Sequence, residues 1–249
     1  MSNLIYSAAN CLPTKVFYCN GIRTLKEEAK GHCSIIGKMV EDLEFVGVEL
    51  HYNGTTTSKN VNSIALKFFA GFVGIMYAIF SKKDTTTKKV ISTAAGVVGG
   101  GCIVSGLYDC ANIGNGKTDS AEILKNKIQK YLRDNPCSQA NLVLHSQGAD
   151  IGRRALYRLS EDLRMRINVC TIGGVVTIPP TLVANVVNLQ NQSDFLSKFA
   201  QRHMYKSTEH RTVINNAHCT TGIACHGFED YKSYLQFYLR KFVSIGCSN

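Results

Sequence analysis

The sequence predicts an α/β fold, with a mostly parallel sheet flanked by helices and formed as a single domain over residues 1–249. Short apolar stretches alternate with helical patterns from residue 15 onward, as strands and crossover helices do in a parallel sheet. The chain is also long enough to bury one full core without a second domain. Finally, residues 141–149 change abruptly from an apolar run to a helical pattern, which indicates a buried strand that runs directly into a helix.

The first elements can be placed from the start of the chain. Residues 15–19 and 45–52 predict the first two strands. Between them, Thr24 and Glu27 make a capping-box pattern that predicts the beginning of a helix. An apolar stripe at helical spacing follows, made of Leu25, Ala29, Ile36, Met39 and Leu43. Residues 119–132 predict the next helix, which leads into the central strand.

The turn after the central strand carries the strongest functional signal. The apolar run at 142–144 ends in His145, Ser146, Gln147 and Gly148, and a helical pattern begins at once. Such a tight turn lifts a serine above the sheet edge, with the N–H groups of the helix N-terminus behind it. Gly148 fits, because only a small side chain lets the helix start so close to the strand. The alternative is an ordinary strand–loop–helix junction with a capping serine.

Two further polar residues follow Ser146 in order. Residues 167–172 and 185–189 predict the next two strands, and Asp194 comes five residues after the second. Another short strand precedes a polar loop and His226, which stands just ahead of a terminal amphipathic helix. Each of these polar residues therefore lies on a loop after a successive strand.

The turn around Ser146 resembles the nucleophile elbow of the α/β-hydrolase superfamily, Gly-x-Ser-x-Gly, although the first glycine is absent here. Ser146, Asp194 and His226 also follow the order of that superfamily's catalytic triad. The resemblance implies an esterase-like or lipase-like serine hydrolase that cleaves an ester or lipid acyl bond with these three residues. It implies no cofactor and no metal.

The same resemblance implies an oxyanion hole built from backbone N–H groups. One is that of Gln147, directly after the nucleophile. The other belongs to Gly21 or Ile22, on the loop after the first strand. Lipases often carry His-Gly at this corner, and this chain has Asn20 before the glycine. Because backbone amides do the work, the substitution is tolerable.

Other residues compete for the catalytic roles. His218 lies eight residues before His226 and is an alternative base. His145 flanks the nucleophile, but we expect it to point to the opposite side of its strand. Asp150 is an alternative acid, although it falls inside the helix after the elbow, where a triad acid is not expected. The loop at 218–226 holds two Cys and two His, but their spacing is not that of a zinc site.

Residues 61–110 do not fit a minimal hydrolase and predict an inserted hydrophobic helical hairpin. Uncharged apolar stretches at 68–80 and 90–108 are joined by a connector that contains four lysines. Ile64 extends the first stretch backwards across a single Lys67, and the second stretch has 19 residues. A membrane-spanning helix needs about 20 apolar residues, so both stretches are near that length. The glycines in the second stretch would let two helices pack closely. The hairpin is thus interpreted as a membrane segment or, alternatively, as an apolar cap over the active site.

The chain also resembles an uncharacterised family of chlamydial proteins, through residues 17–24, 52–55 and 145–148. Its paired apolar stretches look like the bilobed hydrophobic region of inclusion-membrane proteins from the same bacteria. This resemblance implies a membrane or host-facing location and no particular substrate.

Composition narrows the remaining classes of function. The net charge of +10 is spread over both halves and suits an anionic lipid surface, and no nucleic-acid-binding motif is present. The ten cysteines form no Cys-x-x-Cys pair and predict free thiols. No cleaved signal peptide is expected from the first residues. A loose phosphate-loop pattern at 111–118 lacks the flanking strands of a nucleotide site.

The sequence therefore predicts a membrane-associated serine hydrolase whose partners are an ester or lipid substrate and a membrane, without nucleic acid. The competing class is a non-catalytic, membrane-anchored effector or scaffold on the same fold. A soluble cytoplasmic protein is the alternative location.

Overall fold

The computed structural model describes residues 14–21, 24–43, 45–53, 120–204, 209–214 and 226–246. The strands are β1 (Thr14–Cys19), β2 (Phe45–His51), β3 (Ala140–His145), β4 (Ile167–Ile172), β5 (Asn185–Asn191) and β6 (Thr212–Ile214). The helices are α1 (Lys26–Met39), α2 (Ser120–Asp134), α3 (Gly148–Tyr157), α4 (Glu161–Arg164), α5 (Phe195–Phe199) and α6 (Lys232–Gly246). Two 3-10 turns, Pro180–Leu182 and Phe228–Tyr231, and a π-helical turn, Ala200–Met204, are also present.

The six described strands form one sheet in the order β2-β1-β3-β4-β5-β6, and every pairing between them is parallel. The order reverses between β1 and β3, because the chain leaves β1 toward β2 on one side and later returns to β3 on the other. At such a switch point the connections diverge and leave a crevice at the carboxyl ends of the strands. The residues that follow Cys19 and His145 therefore lie where open α/β sheets bind their ligands.

Helices cover the sheet on both faces, so its central strands are buried on both sides. Phe17 and Leu142 pack with side chains of α2 and α3 on one face. Val16 and Tyr18 pack with side chains of α1 and α6 on the other. A strand that is buried on both faces needs a continuous apolar run rather than an alternating one. This explains the runs in β1 and β3.

The predicted fold class, a mostly parallel sheet flanked by helices, is confirmed. The predicted cap of the first helix is wrong by one residue. α1 begins at Lys26, and the backbone N–H of Leu25 donates to Oε2 of Glu28 at 3.3 Å. The glutamate that closes the cap is thus Glu28 rather than Glu27, because the residue before the helix is Leu25 and not Thr24.

The predicted hairpin at 61–110 lies outside the described residues, and the single-domain interpretation that includes it stays a prediction. Nε2 of His51 lies 2.8 Å from Oγ of Ser120, so the end of β2 and the beginning of α2 are joined. His51 and Ser120, two described residues that flank this region, therefore lie together. Among the helices that the structure describes, none combines the length and the apolar character needed to cross a membrane.

Candidate active site

Ser146 occupies a strained turn between β3 and α3. Its φ of 53° lies in the left-handed region, which is costly for a residue other than glycine. Its N–H donates to the carbonyl of Ile172 at 3.1 Å, and its carbonyl accepts from the N–H groups of Ala149 (3.1 Å) and Val175 (3.2 Å). These hydrogen bonds hold the serine at the carboxyl edge of the sheet in a conformation that it would not adopt alone.

Two glycines allow the backbone to pass close to this turn. A Cβ atom on Gly148 would lie 2.4 Å from the carbonyl oxygen of Cys19, so any larger residue would collide with the backbone after β1. A Cβ atom on Gly21 would lie 2.8 Å from Cβ of Ser146. The expected need for a small residue at 148 is thus explained, although the crowding comes from the neighbouring strand.

The glycine that is missing from the elbow pattern is replaced by Leu144, two residues before Ser146. Leu144 packs against Gly152 in α3, where an added Cβ would lie 2.4 Å from Cδ1 of the leucine. A glycine on the helix therefore supplies the space that a glycine on the strand would otherwise leave. The departure from the pattern is compatible with the tight turn.

The structure brings Ser146, Asp194 and His226 together from three separate loops. Nε2 of His226 lies 2.7 Å from Oγ of Ser146, and Nδ1 lies 2.8 Å from Oδ2 of Asp194. Because an ionised carboxylate only accepts hydrogen bonds, Nδ1 carries the imidazole proton and Nε2 is free to accept the serine proton. This is the tautomer that a general base requires.

Asp194 is fully buried and saturated with donors. It caps α5, where Oδ1 accepts the N–H of Ser197 at 3.0 Å. Its Oδ2 accepts from His226 and also from the hydroxyl of Tyr231 at 2.8 Å. Burial acts to raise the pKa of Asp194, but the hydrogen bond and charge of His226, with the Ser197 N–H, hold that pKa below its usual value. The acid is therefore ionised at neutral pH.

His145 lies beside His226, so the expectation that it points away from the site is wrong. Its Nε2 is 3.0 Å from the carbonyl oxygen of His226, and the two ring centroids are 5.6 Å apart. Because a carbonyl only accepts, Nε2 carries the proton and Nδ1 is bare; among the described residues, this buried Nδ1 has no hydrogen-bond partner. Burial, and then the proximity of His226, lower the pKa of His145 to about 3, so its ring is neutral.

Two of the three predicted oxyanion-hole residues adjoin the nucleophile. A Cβ atom on Gly21 would lie 3.4 Å from Oγ of Ser146, so the Gly21 backbone passes directly beside the hydroxyl. Gln147 follows the serine and precedes the first turn of α3. Ile22 lies outside the described residues. Peptide groups from two different loops are thus close to Ser146.

A buried amide network that the sequence did not reveal links these loops. Nδ2 of Asn53 donates to Oε1 of Gln147 at 2.8 Å, and the backbone N–H of Asn53 donates to Oδ1 of Asn20 at 2.7 Å. Nδ2 of Asn20 donates to the carbonyl of Gly21 at 2.8 Å. The network ties the ends of β1 and β2 to the elbow. The signal in the sequence is a polar residue shortly after each strand, but the pairing depends on tertiary structure.

The competing assignments fare differently. Asp150 lies within α3 and pairs with Arg154 of the same helix at 3.2 Å. The alternative base, His218, and the two cysteines of the loop at 218–226 lie outside the described residues. Within the part of the chain that is described, no group of three or more His, Cys, Asp or Glu side chains is arranged to hold a metal ion.

Comparisons with known proteins add little to this geometry. No family model matches the chain, and no curated protein matches its sequence. Among solved structures, the chain is similar to a cutinase-like protein from Cryptococcus sp., with 12% identity, a TM-score of 0.46 and coverage of 98% of both chains. A likeness at this level carries no argument about activity. The interpretation of the site therefore depends on its own geometry.

Proposed function

We propose that the protein is a serine hydrolase that cleaves an ester or lipid acyl bond. The observation that carries the proposal is the continuous hydrogen-bonded series from Oγ of Ser146 through the ring of His226 to Oδ2 of Asp194. The left-handed backbone of Ser146 supports it, because strain of this kind persists only where surrounding contacts impose it and is frequent at active sites.

The arrangement supports a two-stage acyl transfer. Nε2 of His226 takes the proton from Ser146 as Oγ bonds to the carbonyl carbon of the substrate, and Asp194 stabilises the imidazolium that forms. The imidazolium then gives its proton to the departing alkoxide, leaving an acyl group on Ser146. A water molecule, deprotonated by the same nitrogen, attacks this acyl-enzyme, and the imidazolium returns that proton to Oγ of Ser146 as the acid is released.

The negative charge of each tetrahedral intermediate needs donors that are already in place. The backbone N–H groups of Gln147 and of Gly21 or Ile22 are proposed for this role. The amide network that ties Asn20 and Asn53 to Gln147 supports it, because it fixes two of the contributing loops relative to each other. Donors held in this way do not have to reorganise as the charge develops.

A fluorophosphonate probe tests the proposal, since it reacts covalently with an activated serine whatever the natural substrate is. Wild-type protein should be labelled, and Ser146→Ala should abolish labelling while circular dichroism shows an intact fold. Ser138→Ala is the matched control, because Ser138 is equally buried but stands before β3, at the opposite end of the strand. Equal labelling of wild type and Ser146→Ala would contradict the assignment.

We also propose that residues 61–110 associate the protein with a membrane. The long uncharged stretches in this segment and the net charge of +10 support the proposal. The hydrogen bond between His51 and Ser120 indicates that the segment can be shortened without pulling β2 and α2 apart.

Replacement of residues 64–108 by a short Gly/Ser linker tests this second proposal. Full-length protein should float with vesicles that contain anionic lipid, and the shortened variant should stay in the aqueous phase with its fold and probe labelling retained. If full-length protein partitions into the aqueous phase without detergent, the segment is a cap instead. If the shortened variant does not fold, the segment belongs to the core.

A further inference from the structure

Tyr231 contacts the acid of the proposed triad through its hydroxyl, and the catalytic scheme above gives it no role. It lies in the 3-10 turn that precedes α6 and is fully buried. Its hydroxyl is 2.8 Å from Oδ2 of Asp194, the same oxygen that accepts the Nδ1–H of His226 at 2.8 Å. One carboxylate oxygen is therefore shared between the base and a phenol.

The direction of the phenol proton follows from its second partner. The backbone N–H of Asn191, at the end of β5, donates to the Tyr231 oxygen at 3.1 Å. Because that partner is a donor and the carboxylate is an acceptor, the single hydroxyl proton points to Asp194. Burial, and then the charge of Asp194, raise the pKa of Tyr231, so the hydroxyl keeps its proton over the working range of pH.

We propose that Tyr231 is a positioning residue that sets the pH at which the hydrolase becomes active, through the shared oxygen of Asp194. The proposal rests on the function proposed above. A hydrogen bond from Tyr231 stabilises the negative charge on Oδ2. The interaction between that oxygen and the imidazolium of His226 is therefore weaker than it would be without the phenol. The wild-type base therefore releases its proton more readily than it would beside an unshared carboxylate.

Other charged and titratable groups also lie near Asp194 and His226, and a substitution of Tyr231 leaves them unchanged. Asp230, in the same 3-10 turn as Tyr231, interacts electrostatically with Asp194 and His226. His145, at the end of β3, interacts with both as well, and it is neutral because burial lowers its pKa to about 3. From α5, both the N–H and the uncharged hydroxyl of Ser197 hydrogen-bond to Asp194. Tyr231 donates from its side chain to Oδ2, the same oxygen that holds His226.

The test is the pH dependence of probe labelling and of kcat/KM for a short-chain p-nitrophenyl ester. The acid limb is the part of the plot of rate against pH in which the rate rises with pH. In Tyr231→Phe this limb should move upward by about 0.5 to 1 pH unit, which lowers the rate about three- to tenfold on the acid side. Site-specific 3-fluorotyrosine at position 231 should move the limb downward, because a more acidic phenol donates a stronger hydrogen bond. This variant keeps the shape of the residue and decides the matter if Tyr231→Phe folds poorly.

Tyr18→Phe is the matched control. Tyr18 is also fully buried, but its hydroxyl bonds to Nδ1 of His32 at 2.8 Å and not to the triad. The control should leave the acid limb in place. If all the acid limbs coincide and Tyr231→Phe changes only the melting temperature, Tyr231 is a packing residue and the inference is wrong.

The same variants separate this inference from the proposed function. The Nδ1–H proton of His226 can be followed by NMR in protein that does not turn over. Its resonance should shift in Tyr231→Phe and in the fluorotyrosine variant, in opposite directions. An inert wild type with these shifts present would overturn the hydrolase function alone, and an active wild type without them would overturn the role of Tyr231 alone.

Discussion

Two buried polar networks lie at opposite ends of the same parallel strands. At the amino ends, Nδ2 of Asn141 donates to Oγ1 of Thr14 (3.2 Å), and Nδ2 of Asn168 donates to Oδ1 of Asn141 (3.0 Å). Asn185 extends this ladder to β5 through its bond to Oδ1 of Asn168 at 2.8 Å. At the carboxyl ends, the second network runs from Ser146 to Tyr231. Both networks are buried and hydrogen-bonded, yet only the second has features of a reactive site.

The difference lies in charge and strain rather than in polarity. The ladder consists of neutral amides and one hydroxyl, which exchange hydrogen bonds at ordinary distances. The second network contains an ionised carboxylate, an imidazole that bridges to a serine, and a serine backbone at φ 53°. Perturbed titratable groups and strained backbone cluster at functional sites. A buried polar network is therefore a candidate site only when such features accompany it.

The largest expected effect on activity comes from removing His226, the proposed base of the second network. His226→Ala should lower ester hydrolysis by about four to six orders of magnitude, because triad members act as a unit. His218→Ala should leave most of the activity. The measurement is kcat/KM with a p-nitrophenyl ester. The reverse pattern would transfer the role of base to His218.

Crowding at the elbow gives the next largest effect. Gly148→Ala should lower the free energy of unfolding by about 3 kcal/mol, because the new methyl group would collide with the carbonyl of Cys19. Gly31→Ala, in α1, is the matched control, since a Cβ atom there meets nothing within 4 Å. That control should raise stability by about 0.5 to 1 kcal/mol. Urea denaturation measures both, and equal effects would show that the close approach is unimportant.

A substitution in the amide ladder should separate stability from activity. Asn168→Ala leaves the partners of its side chain in Asn141 and Asn185 unsatisfied, so the free energy of unfolding should fall by about 2 kcal/mol. The rate of probe labelling of the folded protein should not change. A slower rate in fully folded protein would mean that the two ends of the strands are coupled, and the contrast between them would fail.

A pH-dependent effect on stability is expected at His145. In the unfolded chain this histidine takes up a proton below about pH 6.5, whereas in the folded protein its pKa is lowered to about 3. Between these values the unfolded state binds more protons, so stability falls as the pH is lowered. His145→Gln keeps an N–H donor and should flatten this dependence by about 1.4 kcal/mol per pH unit. An unchanged slope in denaturation curves from pH 6.5 to pH 3 would show that His145 is not held neutral.

Local patterns were sufficient to predict most of the fold and the three residues of the proposed triad. Ser146 is found from a strand that runs into a helix, and Asp194 and His226 are found from their order on later loops. The sequence does not single out Tyr231, because its hydrogen bond to an acid 37 positions away depends on tertiary packing. His145 lies on the same face of β3 as Val143, where Phe228 also packs, and only tertiary structure brings His226 to that face.

The strand order also has a consequence for how the molecule folds. The contact between β1 and β3 joins Thr14 to Asn141, 127 positions apart, whereas the ladder contacts from β3 to β4 and from β4 to β5 span 27 and 17 positions. Loop closure costs more entropy as the loop lengthens, and distant pairings slow folding. We therefore expect β3, β4 and β5 to associate before β1 joins them. Since Gly21 meets Ser146 across that last pairing, chemical reactivity of the serine should be the final property to return during refolding.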